Sequence, residues 1–329
     1  MAAYVVAVDL GGTLTKIAYA DRDGSTTPPR RLSTVMTGGQ ASLDWLAAVL
    51  TDAVQQRSGG QDSGGQGSGG QGSGGQGSGG DCLGYAVVVP GILDVPRGLV
   101  RAATNLGWYD VGVRARLTVL TGLPGVVGHD VRSGGLAEWR LGAGVGAENL
   151  LFLPLGTGIA GAMVVDGRLV DGDGYAGELG HTAVPAGGDR RCPCGQRGCL
   201  ETVSSASALT RSYAQLASGA PPGAVSAEQV AERARAGDPA ATAAVALAVR
   251  GLTEALHTYA TLLAPETVVL GGGLAGAFDL LGPAVARGLD ARMTFQRRPA
   301  VVPARLGADA GVIGAGLLGW DRLTREEPA

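Results

Sequence analysis

Aromatic residues are scarce in this chain, histidine is scarcer, and there is no surplus of basic charge. Aromatics make up 4% of 329 residues, with three histidines and four cysteines. The formal net charge is -3, which gives no electrostatic reason to expect nucleic acid as a partner. No apolar run approaches the roughly 20 residues that cross a bilayer, because the apolar stretches are short and broken by glycine. No membrane partner is predicted. The start, MAAYVVAVDLGGT, lacks the basic leader of a secretory signal and runs straight into a strand pattern. The expectation is a soluble, cytoplasmic α/β protein, rich in Ala, Gly and Val and long enough for two domains.

The few cysteines are clustered. Cys192, Cys194 and Cys199 fall in the run CPCGQRGCLE, and His181 lies eleven residues upstream. Three thiolates and one imidazole form a closed tetrahedral set for a structural zinc, with no position left for a metal-bound water. A disulfide is the competing reading, since either Cys192 or Cys194 could pair with Cys199. A reducing compartment favours metal. Two acids, Glu178 and Glu201, stand at the edges of the cluster. Cys82 is isolated beside an apolar strand and reads as inert.

Residues 58–80 repeat Gln-Gly-Ser-Gly-Gly almost without interruption. Nothing apolar occurs there to offset ordering entropy, so a flexible surface loop is expected. It falls between a predicted helix, Ser42 to Arg57, and a predicted buried strand, Leu83 to Val89, and marks no domain boundary.

Elsewhere strands alternate with helices, the pattern of layered α/β domains. A strand, a glycine turn and a second strand occur twice, at 4–20 and at 150–165, which suggests a duplicated domain. The first turn reads Asp9-Leu10-Gly11-Gly12-Thr13-Leu14-Thr15-Lys16. Its glycines let backbone N–H groups approach a polyphosphate. The Thr13 hydroxyl adds a donor, Lys16 a positive charge if it faces the phosphates, and Asp9 can hold Mg²⁺ through water. It is not a Walker A loop, because the glycines join two strands. Gly156-Thr157-Gly158 occupies the same place in the second copy. Asp130 follows the apolar strand Val126 to His129 and precedes a helix from Val131. It can take a proton from an attacking hydroxyl or cap the helix. Gly271-Gly272-Gly273 follows another apolar strand and either admits a nucleotide to a helix N-terminus or simply enters that helix.

Taken together, DLGGTLTK at 9–16, PG at 90–91, Asn105 with Trp108, Asp130, LGTGIAG at 155–161, GELGH at 177–181, the cysteine run at 192–201 and LGGGLA at 270–275 resemble the ROK family of sugar kinases and repressors, within the actin/hexokinase-like superfamily. The resemblance runs nearly end to end. It implies an α/β fold of two actin-like ATPase (ribonuclease H-like) domains flanking a cleft, with a small structural zinc loop. Residues 1–122 plus the C-terminal helix 310–322 would form one domain. Residues 123–309, with the zinc loop at 177–201, would form the other.

The implied reaction is ATP-dependent phosphorylation of a hexose at its 6-hydroxyl, glucose first. Asp130 would be the general base. Glu178, His181 and Glu201 would bind the sugar, with further contacts from Gly91, Asn105 and His129. Gly11, Gly12, Thr13, Lys16, Gly156, Thr157 and the glycines at 271–273 would contact the nucleotide. ATP, Mg²⁺ and a structural Zn²⁺ are the implied cofactors, and a homodimer or homotetramer the implied assembly. His129 stands where kinases of the family usually carry Asn, which alters the contacts to the sugar's 4- and 6-hydroxyls. N-acetylmannosamine, N-acetylglucosamine, fructose or allose are alternative acceptors, and polyphosphate an alternative donor. Repressors of the family carry a helix-turn-helix ahead of the sugar domain, whereas here the phosphate hairpin begins within ten residues of the first.

Overall fold

The apolar runs near the start become strands of a sheet covered on both faces. The computed structural model describes residues 2–35, 38–58, 80–217 and 225–325. The glycine-rich repeat at 58–80 lies, but for its two ends, outside the described residues. The first unit comprises residues 1–133 and 311–329. Its elements are β1 (Tyr4–Leu10), β2 (Leu14–Ala20), β3 (Arg30–Ser33), α1 (Gly39–Ser58), β4 (Cys82–Val89), β5 (Ile92–Asp94), β6 (Leu99–Ala103), β7 (Trp108–Val111), α2 (Val113–Thr121) and β8 (Gly125–His129), with α3 (Asp130–Leu141) following.

The main sheet has the order β3-β2-β1-β4-β8. β1 is antiparallel to β2 and parallel to β4, which is parallel to β8. Side chains alternate across it. Val6, Val8, Tyr85 and Val87 pack with Leu43, Leu46 and Leu50 of α1. Val5, Ala7, Ala86 and Val88 pack with Val312 and Ala315 of the C-terminal helix Ala310–Leu323. Burial on both faces explains why β1 and β4 read as nearly continuous apolar runs. The C-terminal helix lies close against the strands: a Cβ at Gly319 would stand 2.6 Å from Val5 Cγ1.

The division of the chain differs from the expectation. β8 pairs in register with β4, Val89 opposite His129, so the first unit runs to Ser133 instead of ending at 122. A short apolar strand announces its burial but not the strand it will pair with.

The second unit, 134–310, holds β9 (Leu150–Pro154), β10 (Ala162–Val165), β11 (Arg168–Leu169), α4 (Glu201–Ser204), α5 (Ala206–Leu216), α6 (Ala227–Arg235), α7 (Pro239–Leu263), β12 (Thr267–Gly271), α8 (Phe278–Arg292) and β13 (Ala300–Pro303). Its sheet order, β11-β10-β9-β12-β13, repeats the first. β9 is antiparallel to β10 and parallel to β12. The helices begin on local signals: Ser205 accepts from Ala208 N, Ser226 and Gln229 form a capping box, and Asp238 accepts from Ala241 N ahead of Pro239. No helix among the described residues is long and apolar enough to cross a membrane.

Candidate active site

In the first unit, parallel strands bring three of the sequence motifs to one sheet edge. β1, β4 and β8 run the same way, with Asp9 opposite Val88 and Val89 opposite His129. Their C-terminal ends therefore carry the Gly11-Gly12-Thr13 turn, Gly91 and Asp130 side by side. Asp9 and Lys16 face each other across the hairpin, with Lys16 Nζ 3.4 Å from Asp9 Oδ2. Lys16 is the chain's single lysine, and part of its charge is spent on that carboxylate. The turn is closed by Gly11 N donating to Leu14 O at 3.0 Å. Thr34, which carries no motif, braces it by donating through Oγ1 to Gly11 O at 2.8 Å and through N to Thr13 O at 2.9 Å.

Asn105 joins the same edge. A Cβ at Gly12 would stand 3.2 Å from the Asn105 carbonyl oxygen, so the phosphate hairpin and the β6–β7 turn are packed together. Trp108, 1% exposed, anchors that turn. Gly91 has φ +108, and a Cβ there would meet Ala102 O at 2.2 Å. Only glycine permits both the left-handed backbone and the close approach.

Asp130 begins α3 at that edge, and the ring of His129, the residue before it, accepts from the first N–H groups of the helix. Asp130 Oδ1 accepts from Val131 N at 2.7 Å, and its side chain is 30% exposed. His129 is 6% exposed. Its Nδ1 accepts from Val131 N at 3.1 Å and from Arg132 N at 3.3 Å. Nδ1 is therefore unprotonated, and the proton of the neutral ring sits on Nε2. Burial, aided by the Arg132 charge, pushes the His129 pKa down to about 3.

In the second unit the two glycine loops meet at the corresponding edge. Gly271 pairs with Pro154, Leu155 N donates to Gly271 O at 2.8 Å and Leu274 N donates to Leu155 O at 3.0 Å. Gly272 has φ +79, and a Cβ there would meet Leu155 N at 2.6 Å. The triglycine does not open an α-helix directly: Gly273–Ala277 form a 3₁₀ turn and α8 starts at Phe278. Gly156, Thr157 and Gly158 form a tight turn, with Gly156 N donating to Gly158 O at 3.1 Å.

The proposed sugar ligands are tied to this turn. Glu201 Oε2 accepts from Ile159 N at 2.9 Å. Gly161 N donates to Gly177 O at 2.7 Å, immediately before Glu178. The Tyr259 hydroxyl of α7 holds Leu179 O at 2.5 Å, and Glu254 Oε2 of α7 accepts from Ala186 N at 2.7 Å. Both α7 residues escaped the sequence reading, because a helix far along the chain gives no sign of the loop it braces.

His181, Cys192, Cys194 and Cys199 converge with their ligand atoms all within 4.8 Å of one another. Cys192 Sγ lies 3.6 Å from His181 Nδ1 and Cys194 Sγ 3.8 Å from Cys199 Sγ. A tetrahedral zinc with bonds of about 2.3 Å to sulfur and about 2.05 Å to nitrogen has edges of roughly 3.75 and 3.55 Å. The donor set therefore fits a structural zinc. Burial first, then the Cys192 and Cys194 sulfurs, push the Cys199 thiol up to about 12. Three sulfurs packed this closely all ionise only against a cation. With Nδ1 turned to the sulfurs, His181 Nε2 faces Glu178 Oε2 at 3.8 Å, too far for a hydrogen bond. Cys82 stands apart, its thiol pKa raised mainly by burial, the mark of an unreactive cysteine.

Repeated sheets, each with a glycine loop at the strand ends, together with a carboxylate and a Cys₃His loop, define a protein of the actin-like phosphotransferase class. A model of the ROK family matches residues 75–321. The chain is 33% identical to a glucokinase of Halalkalibacterium halodurans, over 96% of this chain and 94% of that one. Among solved structures it resembles a ROK hexokinase from Thermus thermophilus, with TM-score 0.78, 31% identity and coverage of 97% and 99%. It also resembles a ROK family glucokinase from Streptomyces griseus in complex with glucose and AMPPNP, with TM-score 0.77, 26% identity and coverage of 97% and 99%. The chain belongs to the ROK family, and it is a sugar kinase.

Proposed function

We propose that this kinase phosphorylates a hexose at the 6-hydroxyl with ATP as donor, and that glucose is its preferred acceptor. The observation that carries the reading is the join between the Cys₃His cluster and the glycine turn. Glu201 accepts from Ile159 N, Gly177 beside Glu178 accepts from Gly161 N, and Gly180 beside His181 packs on the Ile159 carbonyl. Carboxylates and an imidazole N–H suit a ring of hydroxyls, each both donor and acceptor, and such a site rejects analogues that lack them.

Each residue has a role in this scheme. Asp130 accepts the proton of the attacking 6-hydroxyl. Gly91 and Asn105 shape the sugar's surroundings. The turns at 11–13, 156–158 and 271–273 offer backbone N–H groups to phosphate oxygens. Mg²⁺ bound with the nucleotide would offset phosphate charge, and Asp9 is the carboxylate suited to hold it through water. Zinc, held by His181, Cys192, Cys194 and Cys199, would supply a rigid tie for the residues that present Glu178. Association into a dimer or tetramer belongs to the same reading.

One observation favours a second acceptor. With Nδ1 engaged by α3, His129 offers a sugar a single N–H donor where Asn would offer both a donor and an acceptor. N-acetylmannosamine, N-acetylglucosamine, fructose or allose would then replace glucose. Formation of sugar phosphate measured over a panel of hexoses decides between them by relative kcat/KM, with polyphosphate replacing ATP in a parallel set. Asp130→Ala should lower kcat by about 10²–10⁴-fold. Sugar-dependent turnover that survives this substitution refutes the proposed base.

A further inference from the structure

A cavity of about 290 Å³ opens on the second unit, behind the cysteine run and away from the glycine turns in sequence. Arg190 and Arg191, just before the run, and Arg211 of α5 line it, together with Pro193, Thr202, Ser212 and Gln215. No acidic side chain lines it. Three guanidinium groups on one small cavity are notable in a chain whose net charge is -3. Among the described residues none of the three lies within salt-bridge distance of a carboxylate. Arg190 Nη1 is instead held by the Ala186 and Gly187 carbonyls, at 3.2 and 3.4 Å. The neighbouring Arg197 spends its charge on Asp189 at 2.9 Å and does not line the cavity.

Like charges gathered without counter-charges repel one another unless an anion joins them. Guanidinium forks match tetrahedral oxyanions in a bidentate way, and the hydroxyl of Ser212 and the amide of Gln215 add neutral donors. At the low end of ligand-pocket volumes, which run from about 300 to 1,000 Å³, the space suits a phosphate group with little attached and excludes a whole nucleotide. We propose that this cavity is a second anion site, separate from the sugar and nucleotide residues, that takes a phosphate dianion, either inorganic phosphate or the phosphate of a small sugar ester. Its walls are the residues just before Cys192, the residue just after Glu201 and helix α5, so an anion here bridges the metal loop to the helix behind it.

The test is thermal unfolding of the full chain at constant ionic strength. Inorganic phosphate and glucose 6-phosphate are titrated separately, with sodium chloride as control. Wild type should be stabilised with a saturable dependence that chloride does not reproduce. Arg191→Ala/Arg211→Ala should lose the effect, and Arg211→Ala alone should need about tenfold more anion, equivalent to about 1.4 kcal/mol. Arg211 lies on an exposed face of α5, so the single variant remains informative if the double one folds poorly. Saturation at lower concentration by glucose 6-phosphate identifies the sugar ester, and by inorganic phosphate the free ion. Equal stabilisation of wild type and variants, or none of wild type, overturns the proposal. So does a double variant that loses the effect by changing oligomeric state, which would make the arginines a contact between copies.

Discussion

His129 is held in one tautomer by the first turn of α3, and its ring is neutral in the folded chain. In the unfolded chain it protonates near its ordinary value of 6.5. Between that value and about 3 the unfolded state therefore binds the extra proton, and stability falls as pH falls; above 6.5 the residue contributes no pH dependence. From pH 7 to pH 5 the loss is about 2 kcal/mol. His129→Asn should remove it, so urea unfolding at the two pH values should show the variant gaining on wild type by that amount as pH drops. A stability gap that does not move with pH would count against a buried neutral ring. Asp130 was legible in the sequence as a base or a cap; the bonds to the N–H groups two and three residues on, which define a cap, are made by the ring of His129, while Asp130 accepts from the adjacent Val131 N and keeps its side chain partly exposed. Glu138 was not legible at all. It is fully buried and accepts from Ala143, Arg305 and Leu306 N at 2.9, 3.1 and 2.7 Å. Three N–H groups would lose their acceptor in Glu138→Ala, and the expected cost is about 3 kcal/mol or more in a denaturant titration. Two of the three partners, Arg305 and Leu306, lie far along the chain, where no local pattern reveals them.

At the scale of the element, the loop from Gly177 to Glu201 is the part in which sequence and structure agree most closely. Cysteine spacing is itself a geometric statement: ligands two and seven residues apart can close on one ion only through a tight turn, here made by Cys192 N donating to Gln196 O and Gly195 N to Cys192 O. The purified protein should carry about one zinc per chain, and Cys194→Ser should lose it. Because His181, the histidine proposed to hold the zinc, faces Glu178, the variant should raise KM for the sugar more than it lowers kcat. Metal analysis paired with steady-state kinetics checks both. A metal-free wild type with full activity would remove the structural role. The bracing of this loop by Tyr259 and Glu254 was not legible, because α7 shows only an ordinary apolar stripe. The same blindness to partners applies to the triglycine, whose Gly272 serves close packing on Leu155 before any helix starts.

Across the whole molecule, two sheets of one strand order each carry a glycine turn after the first strand. A sugar that binds only the folded chain should stabilise it by about 2.7 kcal/mol at one hundred times its Kd. The hexose giving the largest thermal shift should be the one with the highest kcat/KM, and Glu178→Gln should abolish the shift. A shift that persists in Glu178→Gln would move the sugar site elsewhere. What the sequence determined by itself was local: strand and helix periods, glycine turns, the metal spacing and the family signature. These follow from short-range geometry, which residue order encodes directly. Strand pairing was decided only in three dimensions, and with it the place of β8 in the first sheet, the meeting of the 155–158 and 271–273 turns, and the arginine-lined cavity. Hydrogen bonds between strands and packing between distant segments have no fixed spacing along the chain. The Cys₃His loop and its acids could therefore be read before folding, while what braces them could be read only after it.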